Sequence, residues 1–195
     1  MPSKDRKLVR ELTSGHRSAY VEAVECNYSR IYAFLYRMSE DRSVAEDLTQ
    51  ETFAAAWRSL DQFEARSAFG TWLHKIALNV FRDYRRHSRI DVAPTEEYDL
   101  PAVPDHAPAL IEEIASEQLQ QRVQVAVGEL PDIYREAVIL RCYQGLKYRE
   151  VAELLGVPIG TVQFRVHVAL EKLRAALRGE VPDCETNMVQ RVSEP

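Results

Sequence analysis

The chain has 195 residues, 46% of them hydrophobic and 28% charged, with a formal net charge of −5. That length allows one or two domains with a real core, and the absence of any run of about 18 apolar residues excludes a helical membrane span. Three scattered cysteines, Cys26, Cys142 and Cys184, make neither a disulfide framework nor a metal knuckle and suit a reducing cytoplasm. In chain order, the N-terminal segment lacks the apolar core of a signal peptide. Tyr20, Val24, Tyr28, Ile31 and Leu35 then recur at helical spacing, predicting a helix over 16–38. Ser43 with Glu46 reads as a capping box opening a second helix to about Leu60. Asp61–Ala68 reads as a loop holding Arg66 and Ser67, and Phe69 to about Arg89 as a third long helix.

On that third helix Phe69, Trp72, Leu73, Ile76, Val80 and Tyr84 form an apolar stripe. Lys75, Arg82, Arg86 and Arg89 fall within an arc of about 60° on the far side at 3.6 residues per turn. Four cations on a narrow stripe make a track for a phosphate backbone, with Asn79 at its edge. Phe69, Trp72 and Tyr84 serve either as stacking surfaces for bases or as core.

Residues 91–111 hold Pro94, Pro101, Pro104 and Pro108, five acids and no Lys or Arg: an extended, self-repelling linker. Helical pattern resumes at Ile111 and runs to Gly128. Leu130-Pro131-Asp132 breaks it, and 132–143 forms another helix. Next comes a helix-turn-helix. Its first helix, Tyr148 to Leu155, buries Val151, Ala152, Leu154 and Leu155. Gly156 supplies a left-handed exit, Pro158 blocks continuation, and Thr161 is the expected cap of the second helix. Val162, Val166, Leu170, Leu173 and Leu177 form that helix's buried stripe. Thr161, Phe164, Arg165, Val168 and Lys172 face away, with Gln163 and His167 on the flanks. Such a surface reads base edges and thymine methyls in a major groove. The tail after Arg178 has no pattern.

The charge divides unevenly. Residues 1–90 are net +3, 91–111 net −5, 112–179 neutral and 180–195 net −3. Affinity for free DNA comes mostly from phosphate neutralisation, so a chain so balanced needs a partner to grip DNA. An enzyme is not expected, nor a cofactor. The five histidines show no metal-ligand spacing, and neither a phosphate loop nor a nucleophile motif occurs.

The segments AEDLTQETFAAAWRSLDQFEARSAFGTWLHKIALNVFRDYRRH (45–87) and LPDIYREAVILRCYQGLKYREVAELLGVPIGTVQFRVHVALEKLRAAL (130–177) resemble a bacterial RNA polymerase sigma factor of the extracytoplasmic-function class. Strand signals are nearly absent and only seven glycines interrupt the helical patterns, so the chain reads as all-α, in two small helical domains by the resemblance. Residues 1–90 would be sigma region 2, 91–111 a flexible acidic linker lying in the polymerase RNA channel, 112–179 sigma region 4, and 180–195 a tail. It implies that Asp47, Gln50, Glu51 and Phe53 dock on the polymerase clamp helices, with the flap as a further contact. Geometry alone puts Asp47, Glu51 and Arg58 on one face. Arg66, Ser67, Lys75, Asn79, Arg82 and Arg86 would hold and melt the −10 element, the loop Glu64–Ala68 and Asn79 pocketing an extruded base. Arg149, Thr161, Gln163, Phe164, Arg165, His167, Val168 and Lys172 would read the −35 element. The implied partners are core RNA polymerase, promoter DNA and an anti-sigma factor, in the cytoplasm. Two departures stand out: Asp83 on the cationic surface, and Gln163 and Val168 where relatives often carry basic residues. The competing readings are a helix-turn-helix transcriptional regulator and a sigma-like adaptor that never touches DNA.

Overall fold

A computed structural model of the chain describes residues 11–12, 17–63, 67–87 and 117–178, and no strand occurs among them. Arg66, Arg89, the linker 91–111 and the tail with Cys184 lie outside the described residues.

The first domain is a three-helix bundle. Helix α1, Arg17–Ser39, ends where Glu40 takes a left-handed φ of 58° and donates its N–H to the Tyr36 carbonyl at 2.8 Å. Helix α2, Arg42–Arg58, is capped by Asp41, whose carboxylate accepts the Val44 N–H at 3.0 Å. The capping box expected at Ser43 does not form, because the chain is already helical there. Glu46 instead pairs with Arg42, one turn back, at 3.0 Å. Thr49 and Thr52 are fully buried but satisfied, donating to the Ala45 and Leu48 carbonyls at 2.6 and 2.7 Å. A short 3₁₀ turn, Leu60–Gln62, follows, and then α3, Phe69–His87. Ile31, Phe34, Leu35, Met38, Ala45, Ala56, Leu73 and Leu78 close the core between the three helices, with Leu12 packed among them.

The second domain contains α4 (Glu117–Gly128), α5 (Asp132–Val138), α6 (Tyr148–Leu155) and α7 (Ile159–Arg178). Pro131 starts α5, as the sequence break requires, and α5 runs into a π turn at Ile139–Tyr143. The turn closes with the Gln144 N–H on the Ile139 carbonyl at 3.0 Å and leaves Gln144 buried. Val138, Ile139, Leu140, Val151, Val162, Val166 and Ala169 make the core.

The two domains touch. Helix α1 packs on α4 and on the π turn, and α3 packs on α6.

Candidate nucleic-acid interface

The buried face of α3 is Phe69, Thr71, Leu73, His74, Ala77, Leu78 and Phe81. It is turned roughly 100° from the apolar stripe read in the sequence. Trp72, Ile76, Val80 and Tyr84 are only partly buried. The His74 side of the helix packs on α1, where Phe34 meets the His74 ring edge-on at 5.5 Å, and also meets the second domain. There the Nδ1–H of His74 donates to the Gly70 carbonyl at 2.7 Å, and Nε2 lies 3.2 Å from the Gln144 Oε1. With one N–H given to Gly70, a neutral ring needs the amide's NH₂ turned toward Nε2. Burial holds the imidazole pKa below its ordinary value, and the Arg30 charge lowers it further.

The cationic stripe survives this correction. Lys75 and Arg86 are exposed and Arg82 is half-exposed. Asn79 is exposed beside Lys75, and both line a cavity of about 470 Å³ with Ser67. Ser59, Gln62, Phe63, Thr71, Trp72 and Ile76 complete it from the first domain. Phe63 and Trp72 rings meet at 5.0 Å and Phe69 and Trp72 at 5.4 Å, so an aromatic cluster floors the cavity. Phe69 is itself core, as its 4% exposure requires, whereas the Trp72 edge is available for stacking. Asp83, the acid on this surface, is paired with Arg86 and so partly neutralises its own neighbour.

Two residues of the second domain, Glu153 and Leu154 on α6, also line the cavity. The hydroxyl of Thr71 donates to Glu150 at 3.3 Å, while Glu150 also accepts the Lys147 N–H at 2.8 Å and so caps α6. Arg82 forks onto the Glu136 carboxylate, with Nε at 3.1 Å and a terminal nitrogen at 2.6 Å. Arg85 pairs with Asp132 at 2.9 Å. These partners were not legible as contacts, but Glu136 carried a signal. An acid inside the apolar run around α5 asks for a buried cation.

In the helix-turn-helix, Gly156 has φ 71°, and the N–H groups of Gly156 and Val157 both reach the Ala152 carbonyl, at 2.9 and 3.2 Å. The second helix starts at Ile159 rather than at Thr161, with the Val162 N–H on the Pro158 carbonyl at 3.2 Å. Pro158 therefore opens α7 as well as ending the turn. Val162, Val166, Ala169, Leu170 and Leu173 are buried. His167 is exposed, and Thr161, Gln163, Phe164, Arg165, Val168 and Lys172 are partly so. Arg149 is exposed on α6 and pairs with Glu153 at 3.3 Å. Ile159, 44% exposed on the first turn of α7, is an apolar group that the sequence reading passed over.

On α2, Asp47, Gln50, Glu51, Ala54, Trp57 and Arg58 are exposed on one side. Phe53 is not among them. It is 7% exposed, its ring stacks on Tyr28 at 6.0 Å, and its carbonyl accepts the Tyr20 hydroxyl. Phe53 therefore supports this face from beneath and does not present its side chain to a partner. Trp57, on the same side of the helix, is 45% exposed and edge-on to Tyr20 at 4.6 Å.

Family models for Sigma-70 region 2 and Sigma-70 region 4 match residues 23–90 and 120–173. The chain is 32% identical over 180 residues to the ECF RNA polymerase sigma factor SigW of Bacillus subtilis (strain 168), covering 89% of this chain and 96% of that one. It is 39% identical over 155 residues to the ECF RNA polymerase sigma factor SigE of Mycolicibacterium smegmatis, covering 78% of this chain and 59% of that one. Among solved structures it is similar to the sigma factor RpoE in complex with the anti-sigma factor NepR from Bartonella quintana. The TM-score is 0.63 at 28% identity, covering 82% of this chain and 96% of that one.

Proposed function

The chain belongs to the ECF RNA polymerase sigma factors, and from that premise we propose how its residues divide the work of promoter opening. It is a transcription initiation factor and not an enzyme: it binds core RNA polymerase and directs it to promoters. The first domain, residues 1–90, holds the opened −10 strand. Lys75, Arg82 and Arg86 follow the phosphates, Ser67 lines the pocket, Arg66 is assigned to the same strand as its neighbour in sequence, and Asn79 meets an extruded base. The second domain, 112–179, reads the −35 duplex through Thr161, Gln163, Phe164, Arg165, His167 and Val168, with Arg149 and Lys172 on phosphate. Asp47, Gln50 and Glu51, with Trp57, dock on core polymerase, and the acidic linker 91–111 spans the domains. An anti-sigma factor is the regulatory partner, as one holds the RpoE relative in its solved complex. No helix among the described residues is long and apolar enough to cross a membrane, and we place the protein in the cytoplasm beside its polymerase.

The observation that carries the reading is the pairing of two DNA-reading surfaces on one chain. A cationic stripe runs beside a cavity floored by aromatics in one domain, and a helix-turn-helix forms the other. A duplex-reading regulator has no use for the first surface. Transcription with purified core polymerase over a promoter library tests it. Initiation should appear from a subset of promoters only when the chain is added. No initiation, with retained binding to core, would leave the adaptor reading standing.

A further inference from the structure

The cavity beside α3 takes its walls from both domains, and its volume of about 470 Å³ suits a small molecule. Trp72, Lys75, Ile76 and Asn79 recur at steps of three and four, so one face of α3 presents a ring, a cation and an amide in a row. Trp72 is held by Phe63 at 5.0 Å and Phe69 at 5.4 Å, which fixes a stacking surface for a planar ligand. Lys75 differs from its neighbours on the stripe. Arg82 is forked onto Glu136 and Arg86 is paired with Asp83, whereas Lys75 pairs with no acid among the described residues. The second domain adds Glu153 and Leu154 from α6. Glu153 is 59% exposed and its partner Arg149 81%, so its carboxylate turns away from that surface pair at little cost.

We propose that the free chain binds a soluble adenine ribonucleotide in this cavity, AMP being the simplest. The base stacks on Trp72 and turns its N6 and N7 edge to the Asn79 amide, the two-point pairing that asparagine makes with adenine. The 5′-phosphate meets Lys75, which supplies a point charge. The ribose falls to Glu153, because a carboxylate accepts from a 2′-hydroxyl, as acids do in dinucleotide-binding folds. Leu154 adds an apolar wall. The proposal rests on the base and phosphate chemistry given to this surface above, but its ligand is not DNA. A strand must run on past the pocket, and its course along α3 meets the Arg82–Glu136 pair. A mononucleotide needs no such path. DNA also has no 2′-hydroxyl to offer Glu153. The complete site exists only while the two domains are in contact, since each contributes part of it. The nucleotide and the −10 strand then compete, because both claim Trp72 and Asn79.

Isothermal titration calorimetry of the full-length chain with AMP tests this, with dAMP, adenosine and UMP as comparison probes. AMP should bind one to one. The other three should each bind about tenfold more weakly, since each lacks one partner: the 2′-hydroxyl, the phosphate, or the N6 and N7 edge. Glu153→Ala should erase the preference for AMP over dAMP, and Lys75→Ala the preference over adenosine. Trp72→Leu, which keeps apolar bulk and removes the ring, should weaken all four. If Trp72→Leu fails to fold by circular dichroism, the other two variants carry the test, because Lys75 and Glu153 are exposed. Glu171→Gln, outside the cavity, should change nothing. AMP that does not bind the folded chain overturns the proposal. So does AMP that binds no more tightly than dAMP, which would leave a pocket for a DNA base alone. A holoenzyme carrying K75A and N79A that opens promoters as well as wild type would instead overturn the strand-holding role, whatever AMP does.

Discussion

Asn79 and His74 sit five positions apart on one helix and do opposite things, because one faces an open cavity and the other faces a second domain. Asn79 has a side-chain amide at the cavity's edge and no charge to offer a phosphate. Asn79→Ala should therefore relax base preference at one −10 position, by about 1–3 kcal/mol of discrimination. Overall promoter binding should fall little. Transcription from promoters randomised at each −10 position measures this, and uniform loss across all positions would assign Asn79 to backbone contact. His74 is a buried ring enclosed by Arg30 and Phe34 on α1, the Gly70 carbonyl and Gln144. Its pKa is lowered from 6.5, first by burial. A depressed value means that the contact between the domains prefers the unprotonated ring. Its contribution to that contact is fully present above 6.5 and is lost as pH falls through the depressed value. Acid should therefore loosen the contact between the domains, with a larger scattering radius at pH 5.5 than at pH 7.5 and a smaller pH response in His74→Gln. An equal response in both proteins would place the titrating group elsewhere.

At the scale of elements, the helices were legible where the sequence carries its own punctuation. Gly156 and Pro158 fixed the turn, Pro131 fixed the start of α5, and the run from Phe69 set α3. The errors have physical causes. Asp41 outcompeted Ser43 because the first cap the chain meets ends the search. The buried face of α3 was misplaced because the helix packs on α1 and α2 and meets the second domain at Thr71 and His74, contacts distant in sequence that local periodicity cannot register. The same blindness hid Glu136 as the partner of Arg82 and left Phe53 on a surface it does not reach. Two elements carry predictions. On α2, charge reversal at Asp47 and Glu51 should abolish capture of core polymerase. Trp57→Ala should weaken it by about 2 kcal/mol, as expected of an aromatic anchor at an interface centre. Pull-down titration with circular dichroism as the folding control measures both, and unaltered capture would move the docking face off α2. On α7, Phe164 and Val168 lie outside the buried stripe and are partly exposed. At least one should pack on a thymine methyl. Replacing −35 thymine by uracil removes only that methyl, so its effect should shrink in Phe164→Ala or Val168→Ala. If both variants respond as strongly as wild type, the methyl contact is wrong.

For the whole molecule, charge and architecture agree. A net charge of −5, with the only net-positive stretch in residues 1–90, gives the free chain little hold on duplex DNA. What hold it has is directed partly at its own carboxylates. Core polymerase would separate the domains, supply the remaining grip and align the two reading surfaces along the promoter. The central claim is that α3 holds an opened strand while α7 reads duplex. Permanganate reactivity of promoter thymines, in holoenzymes carrying wild type or the triple variant K75A/R82A/R86A, tests it most directly. The account predicts that the variant still protects the −35 duplex in the closed complex but leaves the −10 thymines unreactive. Equal loss of closed and open complexes would contradict it, assigning those cations to duplex binding alone.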